Sequence, residues 1–166
     1  MITESPSALP LSAQEMADML SAATQDLFSS MLGIEVELRA EHEDEGDPFD
    51  GVLSLIGITG RVVGTGALMC SDAAACDLSA RFLMTEFPSV DEQVLDSIGE
   101  ITNMIVGGFK NLLEAQFGRL QMSIPSVIHG CSISTHKIKA DAAVALRCIY
   151  AEGEIRLKIG LAASRD

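Results

Sequence analysis

The 166 residues carry 24 acidic and 11 basic side chains, a net charge of −13, and the chain is 48% hydrophobic and 21% charged. That charge excludes a surface built to hold nucleic-acid phosphates or anionic lipid heads, and the apolar share is what a folded domain needs for a core. With no Trp and one Tyr, such a core must be built from Leu, Ile, Val, Met and Ala.

The length suits one domain. The first residues, "MITESPSALP", have neither the basic nor the apolar region of a secretory leader. No apolar run approaches the roughly 20 residues of a membrane-spanning helix. The sequence therefore predicts a cytoplasmic protein with a loose tail over residues 1–11 and one domain over 12–166. Cys70, Cys76, Cys131 and Cys148 form no C-x-x-C pair and have no His at metal spacing, so they read as small apolar residues and not as a metal site.

In chain order, Ser12 and Glu15 form a capping box that opens a helix. Its stripe runs through Met16, Leu20, Ala23, Leu27 and Met31, and Gly33 stops it. "IEVEL" alternates as a strand does. Glu41 to Pro48 reads as a solvated acidic turn. "GVLSLIGITG" and "RVVGTGALMC" read as two strands meeting near Gly60. Ser71 or Asp72 caps a short helix to about Met84. Asp91 to Phe117 is one long helix, ended by Gly118. Short extended pieces follow at "LQMSIP" and "SVIHG". "AAVALRCIYAEGEIRLKIGLAA" is a hairpin turning near Glu152-Gly153. Both long helices end in apolar residues, then Gly, then an extended segment, with Gly33 and Gly118 85 residues apart. That hints at an internal repeat. The pattern as a whole predicts an α/β (α+β) fold of two long helices on one sheet.

The long helix holds the chemistry. On a helical wheel Val94, Ile98, Ile101, Ile105, Phe109 and Leu112 share the core face. Asp96, Glu100, Asn103 and Gly107 share the other, at spacings of four, three and four, with Lys110 and Asn111 further along. A wet helix face carries acids and amides in any case. Asn103 and Gly107 are nevertheless poor helix formers, and a glycine there costs about 1 kcal/mol relative to alanine. A carboxamide can hold a water in one orientation, and a carboxylate can pair with a lysine of another protein. No Ser-His-Asp set, Cys-His pair or phosphate-cradling glycine loop accompanies them. The face reads as half of an active site that a partner completes.

"DSIGEITNMIVG" fits Asp/Ser-x-x-x-Glu-x-x-Asn-x-x-x-Gly and resembles the helix motif of the CheC/CheX/FliY phosphatases of bacterial chemotaxis. With "SIPSVIHG" after it and "LFSSMLGIEVEL" near the start, the chain resembles the CheX branch from about Ser12 to Ala163. The resemblance implies two long helices on a mostly antiparallel sheet, with a pseudo-two-fold repeat. It implies dephosphorylation of a CheY-like response regulator: Asn103 orients the attacking water, and Glu100 pairs with the regulator's lysine. It also implies supporting contacts from Asp96, close docking at Gly107 and partner contact near Lys110. Mg2+ would come with the regulator, and the phosphatase would have no cofactor or metal of its own. The repeat places Glu15 and Asp18 where Glu100 and Asn103 stand, and Leu11 and Ala22 replace Asp96 and Gly107. An ionised Asp cannot donate a hydrogen bond and repels a phosphoryl group, so one site per chain is expected. The resemblance further implies a homodimer, with the hairpin Ala142 to Ala163 as a candidate edge. The competing reading is a non-catalytic adaptor of the same fold that binds a receiver domain or a flagellar switch component.

Overall fold

The computed structural model describes residues 9–42, 47–136 and 140–165. Most of the expected tail, and the centre of the acidic turn at 43–46, lie outside the described residues. Leu9 and Leu11 pack against the core and Leu11 is itself buried, so ordered chain begins before Ser12.

Helix α1 spans Ala13–Leu27 and opens with the expected capping box. The Ser12 hydroxyl accepts from the Glu15 N–H at 3.1 Å, and the Glu15 carboxylate accepts from the Ser12 N–H at 2.7 Å. Phe28–Leu32 continues as a π-helical turn, which Gly33 ends in the left-handed region at φ 65°. The wider turn shifts the stripe. Phe28 and Leu32 are buried and Met31 is exposed, where an unbroken α-helical spacing had put Met31 inside. Helix α2 spans Asp72–Leu83 with Ser71 as its N-cap. Helix α3 spans Glu92–Phe117, with the Asp91 carboxylate accepting from the Val94 N–H at 2.9 Å. Among the described residues there are thus three α-helices, and α3 is much the longest.

The strands are β1 (Glu37–Ala40), β2 (Phe49–Thr59), β3 (Val62–Cys70), β4 (Gln121–Met122), β5 (Ser126–Ile133), β6 (Ala142–Tyr150) and β7 (Gly153–Ala163). All pairings are antiparallel, in the order β1-β6-β7-β3-β2, with β4 and β5 both on the outer side of β2. This order reads the same from both ends when β1 exchanges with β5, β6 with β2 and β7 with β3. That is the pseudo-two-fold repeat, with each half's first strand laid on the other half's hairpin. The hairpin β6–β7 sits inside the sheet, β6 against β1 and β7 against β3. It therefore does not supply the free edge expected of Ala142 to Ala163.

One face of the sheet carries the helices. Val52, Ile56 and Ile58 of β2, Leu68 of β3, Leu146 of β6 and Leu157 of β7 join Met16, Leu20, Ile98, Ile105 and Phe109 in one core. On α3 the buried positions run Val94, Ile98, Ile101, Ile105, Phe109, Leu113 and Phe117. The last steps are all of four residues, so the stripe drifts round the helix and takes Leu113 inside, leaving Leu112 exposed. The other face carries Arg39, Arg147 and Arg156 side by side in register. Glu41 bridges two of them, at 2.7 Å to Arg147 and 3.2 Å to Arg156. Like charges on neighbouring strands repel, so Glu41 neutralises this row and is not merely part of a solvated turn.

Candidate active site on helix α3

The glycines of α3 define how the helix is held. A Cβ added to Gly108 would stand 3.0 Å from Cβ of Ala23, so Gly108 admits α1. A Cβ on Gly99 would meet Cγ2 of Val127 at 3.3 Å and Cγ of Pro125 at 3.4 Å, so Gly99 admits the start of β5. These two contacts grip α3 from either side and turn the face between them outward.

On that outward face Asp96 and Glu100 are exposed and Asn103 is half-buried. Asn103 follows Glu100 by three residues on one continuous helix, a spacing that puts their Cβ atoms roughly 5–6 Å apart. Among the described residues, none of the three side chains has a hydrogen-bond or ion-pair partner. Their polar atoms face solvent and can take up bonds from outside.

Gly107 differs from the sequence expectation. It is half-buried, and a Cβ there would meet the flexible end of Met122, Cε, at 3.4 Å. Part of its face is already covered by β4. Lys110 is also engaged. Its Nζ lies 2.7 Å from the Glu114 carboxylate, which accepts a second bond from the Leu120 N–H at 3.1 Å. The Lys110 bond, the Leu120 N–H and the ammonium charge hold Glu114 below the usual carboxylate range. This pair closes the end of α3 onto the chain leading to β4, so Lys110 has a structural bond as well as its place beside the site. On α1, Glu15 is spent on the capping box, and Asp18 accepts from the Gln14 amide at 2.8 Å. The counterpart helix thus uses for its own structure the positions that α3 leaves open.

The segment beside the site is marked in the sequence by "LQMSIP" and "SIPSVIHG", but no functional residue is expected in it. Met122, Ser123, Ile124 and Pro125 run along the flank of α3, from Gly107 to Gly99. Ile124 is 86% exposed. The signal available for it was the Ser-Ile-Pro triplet, since a proline interrupts a strand at its edge.

Among the described residues, no three His, Cys, Asp or Glu side chains are grouped to hold a metal ion. No helix is long and apolar enough to cross a membrane. A cleft of about 410 Å³ lies on the far side of the molecule, lined by Phe49, Met69, Arg147 and Arg156 among others and by nothing from α3.

The fold is similar to that of CheX from Desulfovibrio desulfuricans, with TM-score 0.75 and 24% identity over 89% of this chain and 99% of that one. CheX from Vibrio vulnificus gives TM-score 0.75 and 22% identity over 89% and 99%. A CheX from Borrelia burgdorferi, solved as a CheX–CheY–BeF3–Mg2+ complex, gives TM-score 0.74 and 18% identity over 87% and 96%. No curated protein sequence matches. The model of the family described as chemotaxis phosphatase CheX matches residues 52–152, more than half of the chain and the whole of the α3 site. The chain belongs to the CheX family.

Proposed function

We propose that this chain is an aspartyl-phosphate phosphatase of a CheY-type response regulator, with Glu100 and Asn103 as its working residues. The observation that carries this is the pair itself: a carboxylate and an amide one helical turn apart, facing outward and, among the described residues, bonded to no other side chain or backbone group. A neighbour of the same fold was solved with CheY, BeF3 and Mg2+, which supports a receiver domain as the partner.

In the reaction, α3 lies against the receiver's phosphorylated aspartate. The Asn103 amide accepts from a water and donates to a phosphoryl oxygen, holding the water in line with the scissile bond. The water oxygen attacks phosphorus, the bond from phosphorus to the aspartyl oxygen breaks, and inorganic phosphate and a free carboxylate result. The water's protons leave with the phosphate. Glu100 pairs with a lysine of the receiver and fixes the register of the two proteins. Asp96 supports that contact from the preceding turn, and Gly107 and Lys110 border it. Mg2+ held by the receiver neutralises charge on the phosphoryl group. The phosphatase contributes geometry, and a −13 chain gains from presenting a neutral amide where a third carboxylate would repel the phosphoryl oxygens.

An adaptor that merely binds a receiver has no use for an unpartnered amide at the centre of its contact face, which favours the enzyme. Chemotaxis is the setting the family implies, and a homodimer in the cytoplasm is the expected working form. The test is the decay of a phosphorylated CheY-type receiver in Mg2+ buffer. The chain should accelerate it, and unchanged decay in the presence of demonstrated binding would leave the adaptor.

A further inference from the structure

Between β4 and β5 the chain is pinned at one residue and released at the next. The Ser123 N–H donates to the Gly57 carbonyl at 2.9 Å. The Ser123 hydroxyl accepts from the Gly57 N–H at 2.8 Å and donates to the Ile124 carbonyl at 3.0 Å. Pro125 follows, with no N–H to donate and a fixed φ. These bonds hold the backbone at Ile124 while its side chain stands 86% exposed.

The position of Ile124 follows from the two glycine contacts. Cε of Met122 faces Gly107 and Cγ of Pro125 faces Gly99, each 3.4 Å from where a Cβ would be. Gly99 and Gly107 are eight residues apart on α3, about 12 Å along its axis. Met122 to Pro125 spans about 10 Å of extended chain. The segment therefore runs alongside α3 in the opposite sense, and Ile124, two of the three steps from Met122 to Pro125, falls about level with Thr102, which precedes Asn103 on the helix. Scattered exposed apolar residues are ordinary. This one is held on a pinned backbone beside two unpartnered polar side chains, and Met104, 36% exposed, stands on the same helix next to Asn103.

We infer that Ile124 is the apolar anchor that seats the receiver domain on α3, setting affinity and register while taking no part in the chemistry. This rests on the proposed function and names a determinant of its partner contact. The occupant is a receiver domain with an apolar patch at the lip of its phosphoacceptor pocket. Glu100 and Asp96 cannot supply the affinity alone, because exposed ion pairs contribute little and an anionic phosphoryl site meets an acidic chain. A β-branched side chain on a pinned backbone has few rotamers to lose on binding, which lowers the ordering cost of the contact.

The test compares wild type, Ile124→Ser and Ile124→Leu. Binding is titrated against a CheY-type receiver in Mg2+ and beryllofluoride, and turnover is followed on the phosphorylated receiver. Ile124→Ser should raise Kd and KM about tenfold, 1.4 kcal/mol, with kcat within about twofold, and Ile124→Leu should restore both. The melting temperature of each variant should match wild type, since the side chain is exposed. An active wild type with Ile124→Ser binding equally well overturns the inference alone. So does a fall in kcat at unchanged Kd. If wild type binds the receiver without speeding its decay, the phosphatase reading fails, and the Kd comparison still decides Ile124. If wild type neither binds nor acts, both readings are overturned.

Discussion

Gly108 of α3 faces Ala23 of α1 so closely that a Cβ on the glycine would stand 3.0 Å from the Ala23 Cβ. The two helix backbones meet there, and the meeting fixes which face of α3 is left for a partner. A larger side chain must push α1 away from the core. Gly108→Leu should destabilise the protein by about 1–3 kcal/mol in denaturant titration, outweighing the roughly 1 kcal/mol that leaving glycine gains in a helix. A variant as stable as wild type would show that α1 and α3 are not so tightly matched.

Gly107, one residue earlier, makes the opposite case. Among the described residues, the one atom within 4 Å of a Cβ there is Cε of Met122, the end of an unbranched side chain. Gly107→Ala should therefore raise stability by up to about 1 kcal/mol. If the receiver also approaches this backbone, KM should rise severalfold in the same variant. A more stable variant with unchanged KM would assign Gly107 to packing against Met122 alone.

Glu100 is exposed and has no ion-pair partner among the described residues, so its pairing with a receiver lysine should have the strength of an exposed ion pair. Glu100→Ala should raise KM up to about fivefold, in line with at most about 1 kcal/mol, and should flatten the dependence of KM on ionic strength. An unchanged KM with an unchanged salt dependence would remove Glu100 from the contact.

The buried thiols predict an alkaline limit. Burial pushes Cys70 and Cys148 up to about 12 from an ordinary 9.0, Asp72 and Cys76 adding to the shift of Cys70. Above pH 9 the unfolded chain releases these protons while the folded chain keeps them, so the unfolded state binds fewer. Stability should then fall as pH rises from 9 towards 12. The unfolding midpoint should drop across that window, less steeply in a Cys70→Ala/Cys148→Ala variant. With a thiol reagent at neutral pH, exposed Cys131 should react in the native protein, and Cys70 and Cys148 only after unfolding.

Local signals were legible where a single element decides the outcome. The Ser12–Glu15 box, the Ser71 cap, the Gly33 stop and the bounds of α3 all follow from short-range chemistry. So did the outward run of Asp96, Glu100 and Asn103, because helical period alone sorts it from Ile98 and Ile105. What depended on long-range packing was not legible. Nothing in the stretch around Phe28–Leu32 announces a π-helical turn, so Met31 was assigned to the core. Gly107 looked free because the approach of Met122 is set by how β4 pairs with β2. The hairpin β6–β7 looked like an edge because sequence order hides the exchange that lays β1 against β6. Glu41 looked like loop charge until the register put Arg147 beside Arg156.

The most direct measurement is phosphoryl loss from a CheY-type receiver in Mg2+ at saturating wild type and at saturating Asn103→Ala, with Kd for the beryllofluoride form of each. If Asn103 holds the attacking water, the variant should bind within about threefold of wild type and lose at least about a hundredfold in kcat, the scale expected when a reacting group is no longer positioned. An Asn103→Ala protein that speeds the decay as wild type does would contradict the account.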